Sequence, residues 1–236
     1  MIKSIQKTTL IDYPGHVAST LFTGGCCFRC SYCYNKDLVL NPDNVPSLTE
    51  EEILQFLSKR KHLIDGIAIT GGEPLLHKHI GAFIKEVKQL NLKVKLDTNG
   101  YHPDLMMDLI NQGLIDFVAM DIKAPLENYH DVCGIQLDIS RIKTSISMIM
   151  AHAPDYEFRT TIWHNYFNQF NAESLLSPIQ SCKTFAIQNF FISPDTNPNP
   201  MFKPAHETEI KPVIKLAKSL VKNVKSRGFK TGINTI

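Results

Sequence analysis

Short runs of apolar, β-branched or aromatic residues recur along the chain, near His16–Phe22, Gly66–Thr70, Lys93–Asp97, Phe117–Asp121, Glu157–Trp163 and Thr184–Ile192. Between most of them, apolar positions return every three or four residues, the spacing that turns one face of a helix toward a core. The first such stretch opens at Ser47-Leu48-Thr49-Glu50-Glu51-Glu52, where Thr49 with Glu52, or Ser47 with Glu50, fits the S/T-x-x-E capping box. Further helices are predicted near Leu76–Leu90, Pro103–Gln112, Ile139–Ala151, Ala172–Cys182 and Pro212–Ser226. Strands alternating with helices of this length pair in parallel through right-handed crossovers. About six such units, short of the eight of a closed barrel, predict an α/β fold of the partial (β/α)6, TIM-like barrel type.

A chain of 236 residues with 43% hydrophobic content is long enough for one such barrel. No Gly/Ser-rich or charged linker divides it, so a single domain over 1–236 is expected, with its core at about 16–192 and a C-terminal helix at about 212–226. A formal charge of +2 points to neither a nucleic-acid binder nor a membrane surface. The first residues lack the apolar core of a signal peptide, and no run approaches the roughly 18–20 apolar residues that span a bilayer. A cytoplasmic protein is expected, where thiols stay reduced.

Parallel β/α folds collect their chemistry at the C-terminal ends of strands. Here the first predicted strand leads into Gly24-Gly25-Cys26-Cys27-Phe28-Arg29-Cys30-Ser31-Tyr32-Cys33-Tyr34-Asn35, and the second into Thr70-Gly71-Gly72-Glu73-Pro74. The third ends in Asp97-Thr98-Asn99-Gly100, the fourth in Asp121-Ile122-Lys123, and the fifth in Trp163-His164, while the sixth includes Gln188-Asn189. Six rims facing one way would build one mouth.

Cys26, Cys30 and Cys33 follow a C-x3-C-x2-C spacing. Thiolates so close suit soft metal chemistry, and three sulfurs on an Fe–S cube leave one iron open to a ligand. A structural zinc site usually takes a second, separated pair of ligands, and none follows. Cys27 projects away from its neighbour and reads as a bystander at the cluster edge. Six cysteines are too sparse for a disulfide framework, and Cys133 and Cys182 read as buried free thiols. Gly71 and Gly72 let backbone approach a ligand closely, or simply form a turn capped by Pro74. Glu73 could meet a cationic amine. Asp97 and Asp121, on neighbouring strand ends, need a cation such as Lys123 or a bound ion.

The cysteine loop, with Tyr32 just before its last cysteine, resembles that of the radical S-adenosylmethionine (SAM) superfamily. The resemblance implies that Cys26, Cys30 and Cys33 hold a [4Fe–4S] cluster whose open iron is chelated by SAM. Gly71-Gly72-Glu73 is similar to the GGE-type motif that contacts the SAM amino group, and Tyr32 and Tyr34 would lie beside the cofactor. Within the superfamily, Leu96-Asp97-Thr98-Asn99-Gly100 and Asp121-Ile122-Lys123 look like the strand ends of glycyl-radical-enzyme activases. By that analogy Asp97, Thr98 and Asp121 lie at the SAM carboxylate, where a monovalent cation could join them, and Lys123 contacts the cofactor. Leu10-Ile11-Asp12-Tyr13-Pro14-Gly15-His16 and Phe22-Thr23-Gly24-Gly25-Cys26 are similar to segments of the anaerobic ribonucleoside-triphosphate reductase activating proteins.

The resemblance implies the same partial barrel of the radical SAM type. It also implies reductive cleavage of SAM to methionine and a 5′-deoxyadenosyl radical, which takes hydrogen from a glycine of a partner enzyme, here anaerobic ribonucleotide reductase. An electron donor such as flavodoxin or ferredoxin would serve it. The alternative is a radical SAM enzyme acting on a small molecule or modified nucleobase, similar to the deazaguanine-forming enzymes. Two positions depart from the activase pattern: Cys27 stands in place of Asn, and Tyr34 in place of His. The sixth-strand histidine that touches the ribose in some activases is also missing, leaving Gln188 or Asn189 to replace it through amide hydrogen bonds. No cysteine-rich insert suggests auxiliary clusters.

Four other features have plainer readings. The last helix sets Val213, Ala217, Leu220 and Val224 against a basic stripe of Lys211, Lys215, Lys218, Lys222 and Lys225, either a solvated face or a dock for an acidic partner or RNA. His77 and His79 are expected as surface histidines. Asp195–Pro200 is expected as a loop on the mouth side. Trp163 is either a core aromatic or a mouth residue.

Overall fold

The β-branched and aromatic runs pair in chain order into one eight-stranded sheet, in a computed structural model that describes residues 1–192 and 202–229. Its strands are β1 (Ile2–Thr9), β2 (Ala18–Thr23), β3 (Gly66–Gly71), β4 (Lys93–Thr98), β5 (Phe117–Asp121), β6 (Tyr156–Ile162), β7 (Phe185–Asn189) and β8 (Val224–Arg227). β1 is antiparallel to β2, and every later pairing is parallel. The crossovers carry α1 (Lys36–Leu40), α2 (Glu50–Arg60), α3 (Ile80–Gln89), α4 (Pro103–Asn111), α5 (Tyr129–Cys133), α6 (Ile139–His152), α7 (Tyr166–Gln169), α8 (Ala172–Leu176) and α9 (Glu207–Leu220). β1 and β8 lie at opposite ends of the strand order, so the result is an open, partial barrel. No helix among the described residues is long and apolar enough to cross a membrane.

Each local element follows from its sequence. Thr49 caps α2: its hydroxyl accepts from the Glu52 amide at 3.1 Å, and the Glu52 carboxylate accepts from the Thr49 amide at 2.8 Å, so the Thr49 register of the capping box is the one used. α3 buries Ile80, Phe83, Ile84 and Val87, one helical stripe, each side chain contributing about 1.5–3 kcal/mol against the sheet. In β4, Val94 and Leu96 are buried in the main core while Lys95 and Asp97 line the barrel interior.

Two edge elements depart from the sequence expectation. β1 was not foreseen. The helix expected over Pro212–Ser226 ends at Leu220, and Val224–Arg227 instead pairs with Phe185–Gln188. Val221 is already extended, its amide closing the last helical turn on Ala217. The buried face of α9 is therefore Ile210, Val213, Ile214 and Ala217, and Val224 and Lys225 belong to a strand. The pair His77 and His79 precedes α3; His77 is half-buried with its ring on the Gly24 carbonyl at 2.8 Å, and His79 is exposed. The expected loop at Asp195–Pro200 lies outside the described residues.

Candidate cluster and cofactor site

The cysteine loop leaves the end of β2 and is tied to three neighbours. Gly25 donates its amide to Leu38 at 2.7 Å and accepts from Glu73 at 2.8 Å. Asn35 donates its side-chain N–H to the Gly71 carbonyl at 2.9 Å, and Arg29 donates its amide to the Cys133 carbonyl at 2.8 Å. The loop and the Gly-Gly rim approach so closely that a Cβ on Gly72 would lie 1.8 Å from the Gly25 oxygen. Gly71, at φ +113°, would set a Cβ 2.4 Å from both the Thr23 nitrogen and oxygen. The two glycines are thus demanded by backbone contact between rims.

Cys26, Cys30 and Cys33 line one cavity of about 560 Å³. The same wall carries Tyr32, Tyr34, Gly71, Gly72, Asp97, Thr98, Asp121 and Lys123, so ten strand-end and loop positions singled out in the sequence, besides Cys26, converge there. Glu73 does not. It is fully buried, its Oε1 accepting from the Leu75 amide at 3.0 Å and the Thr98 hydroxyl at 2.8 Å, its Oε2 from the Asn99 amide at 2.7 Å. The Gly-Gly-Glu motif therefore faces the cavity through Gly71 and Gly72, while Glu73 holds the rim from behind. Cys27 also lies outside the cavity lining, its sulfur accepting from Asn99 Nδ2 at 3.3 Å.

The thiols are not equivalent. Hydrogen bonding from Cys27 draws the Cys26 thiol down to about 6, against burial. Cys30 is lowered by a hydrogen bond from Cys133, again against burial, whereas burial pushes Cys33 up. Cys133 is buried, as expected, but it sits against Cys30 instead of standing alone. Cys182 is a buried free thiol.

Beneath the rims, the barrel interior is charged. Arg159 on β6 reaches Asp97 at 2.9 Å and Asp121 at 2.8 Å, Lys123 meets Asp121 at 2.9 Å, and Lys95 pairs with Asp97. Burial opposes the charge on both carboxylates, yet Arg159, with Lys95 at Asp97 and Lys123 at Asp121, holds them below the ordinary range. Arg159, Lys95 and Lys123 thus supply positive charge to this pair from within the chain. Glu157, also inside, forms a two-point pair with Arg227 of β8 at 2.8 and 2.7 Å. Lys95, Glu157, Arg159 and Arg227 were not singled out in the sequence. The available signal was charge at alternate positions of strands otherwise apolar enough to be buried, as in Lys95-Leu96-Asp97 and Glu157-Phe158-Arg159.

Three further positions are decided by contacts. Asn189 is held by Ala205 and Gly228, donating to both carbonyls and accepting from the Ala205 amide. Gln188 also lines the cavity, and it is the freer of the two amides to meet a ligand. Tyr34 is stacked between Phe190 and Phe191, with ring centroids 5.4 and 4.7 Å away. Trp163 is a core aromatic, 5.2 Å from the Tyr32 ring and 4.9 Å from Phe202.

The residues present fit an iron–sulfur cluster with an adjoining zwitterionic ligand. Three soft donors share one cavity, two rims touch through glycine, and the Tyr32 hydroxyl is buried without a hydrogen-bond partner among the described residues.

The sequence and the fold both have relatives among known proteins. Residues 20–167 match the family described as the Radical SAM superfamily. Over 235 residues, 95% of this chain and 94% of the relative, the sequence is 31% identical to a Methanocaldococcus jannaschii protein provisionally assigned as a glycyl-radical enzyme activating enzyme. It is 34% identical over 127 residues to the pyruvate formate-lyase-activating enzyme of Clostridium pasteurianum, a match covering 52% of each chain. In fold it resembles Streptococcus suis SuiB bound to its precursor peptide SuiA, with a TM-score of 0.66 at 11% identity, covering 89% of this chain and 48% of that one.

Proposed function

The chain belongs to the radical SAM superfamily, and from that premise we propose that it is an activase that places a glycyl radical on a partner enzyme, anaerobic ribonucleoside-triphosphate reductase. In this reading Cys26, Cys30 and Cys33 hold the [4Fe–4S] cluster. The backbone of Gly71 and Gly72 and the Asp97, Asp121 and Lys123 charges face SAM, while Thr98 lines the cavity with its hydroxyl turned to Glu73. The family's cluster and SAM, when bound, supply one-electron cleavage of SAM and abstraction of a hydrogen atom.

The chain's own residues prepare the site for that chemistry. Hydrogen bonds from Cys27 and Cys133 favour the thiolate forms of Cys26 and Cys30 that a metal requires. Arg159 fixes the two carboxylates, so the charge presented to a zwitterionic ligand is set before it arrives. Tyr32, Trp163 and Phe202 pack an apolar wall behind the cysteine loop that excludes water.

The observation that carries the activase reading is the extent of the cavity. From the cysteines it continues to Gln6, Ile11 and Asp12 on the β1 side and to Arg227 and Gly228 on the β8 side, the two ends of the open sheet. Leu10 and Ile11, beside that edge, are 74% and 83% exposed. A macromolecular loop has a lateral way in, which favours a protein glycine over a small molecule or a deazaguanine-type base. The Leu10–His16 and Phe22–Cys26 segments favour the reductase as partner. The name of the C. pasteurianum relative favours pyruvate formate-lyase as the second choice.

Reduced, cluster-loaded protein with SAM should be mixed separately with each partner, and the glycyl radical sought by electron paramagnetic resonance. A signal with the reductase supports the proposal, and one with pyruvate formate-lyase alone reassigns the partner. SAM cleavage without either radical moves the reading to a small substrate, and no SAM cleavage under strong reductant removes it altogether.

A further inference from the structure

Outside the lining of the cysteine cavity, His164, His206 and Glu209 each offer a donor atom, and the three atoms lie within 4.8 Å of one another. His164 follows β6, His206 caps α9 and Glu209 is in the first turn of that helix, so two segments distant in sequence meet here. We propose that these three residues bind one divalent transition-metal ion of the zinc class, at a site independent of the radical chemistry.

The donor set suits such an ion. Two imidazoles and one carboxylate, with a water in the remaining position, is a recurrent environment for zinc and other first-row divalent metals. The frame is held before any ion arrives. Glu209 Oε1 accepts from the Asn165 amide at 2.7 Å and Oε2 from the His206 amide at 2.6 Å, which fixes the carboxylate in the way outer hydrogen bonds orient metal ligands. His164 Nδ1 lies 3.1 Å from Glu209 Oε2, and its backbone amide donates to Lys203 at 2.8 Å, joining the two segments. The His164 and His206 rings meet edge to face at 5.2 Å. The side chains of His164 and Glu209 are 38% and 22% exposed, so an ion has access.

Two donors at about 2.1 Å from one ion are at most about 4.2 Å apart, so any pair standing between that separation and the 4.8 Å bound would close on binding. His206, exposed, can rotate to do this. The bound ion would clamp the start of α9 to the end of β6, next to Trp163 and therefore next to the aromatic wall against Tyr32. The competing arrangement is a metal-free ion pair between His164 and Glu209.

The test is calorimetric titration of cluster-loaded, full-length protein with zinc, followed by zinc-edge X-ray absorption of the loaded sample. One saturable equivalent is expected, with only nitrogen and oxygen neighbours, including imidazole. His206→Ala should abolish that equivalent, whereas His79→Ala, which alters an exposed histidine elsewhere, should leave it unchanged. His206→Ser, which keeps a residue suited to capping α9 while removing the imidazole, should lose the equivalent as well. Absence of a saturable equivalent, sulfur at about 2.3 Å, or full binding by His206→Ala would each overturn the site.

Discussion

The Thr98 hydroxyl donates to Glu73 Oε1 at 2.8 Å, binding the end of β4 to the rim that follows β3. Thr98 in turn accepts from the Gly100 amide at 3.0 Å, so one hydroxyl orders both strand ends that line the cofactor cavity. Thr98→Val keeps the shape and removes this link. It should cost about 1–2 kcal/mol in denaturant unfolding and weaken SAM binding several-fold by calorimetry. Unchanged SAM affinity would show that the rim is set without it.

Burial pushes the Glu73 carboxyl up to about 8, against the three donors that favour its charged form. The sign of the linkage follows from a folded value above the ordinary 4.5. The stabilisation is complete below that ordinary value and declines as pH rises through about 8. Glu73→Gln cannot titrate. Urea midpoints measured from pH 5 to 8.5 should show the parent protein losing stability relative to this variant as pH rises, and parallel curves would refute the assignment.

Gly72 has no room for a side chain, because its Cβ would stand 1.8 Å from the Gly25 carbonyl oxygen. Gly72→Ala must separate the cysteine loop from its neighbouring rim. Iron and sulfide per chain after anaerobic reconstitution should fall by more than half, with a lowered melting temperature. Ala at Gly113, which has φ +67° but nothing within 4 Å of its added Cβ, should leave iron loading intact and serves as the control.

Among the described residues, Arg159 alone spans Asp97 and Asp121. Arg159→Gln leaves two buried carboxylates with less compensation, and breaking a buried pair of this kind typically costs about 3 kcal/mol or more. Thermal unfolding should report that loss. If Asp97 and Asp121 also fix the SAM carboxylate end, SAM affinity should drop along with stability.

What was legible in the chain was local. Short runs of apolar, β-branched or aromatic residues announced β2 to β7, and the Thr49–Glu52 box announced α2, because those signals need only neighbours in sequence. β1 was hidden by Lys3, Gln6 and Lys7, the polar pattern of an edge strand half open to water, and β8 is four residues long directly after a helix whose apolar period runs on into it. In the site, the cysteines and glycines declared themselves by spacing. The inward turn of Glu73, the reach of Arg159 to two other strands and the contact of Cys133 with Cys30 depend on residues brought together only by the barrel. No window along the sequence contains both partners.

The same geometry separates two adjacent cysteines. Cys26 lines the cavity with Cys30 and Cys33, while Cys27 lies outside that lining, its thiol bound to Cys26 and its sulfur accepting from Asn99. Cys27→Ser retains a donor and an acceptor of similar size, so it should load iron and sulfide at the parent level. Cys30→Ala removes one of the three proposed anchors and should lose most of the iron and the reduced-cluster resonance. Both variants should be compared by metal analysis and low-temperature electron paramagnetic resonance after identical reconstitution. If Cys27→Ser loses iron as completely as Cys30→Ala, Cys27 is a ligand and the loop wraps its cluster differently from the arrangement described above.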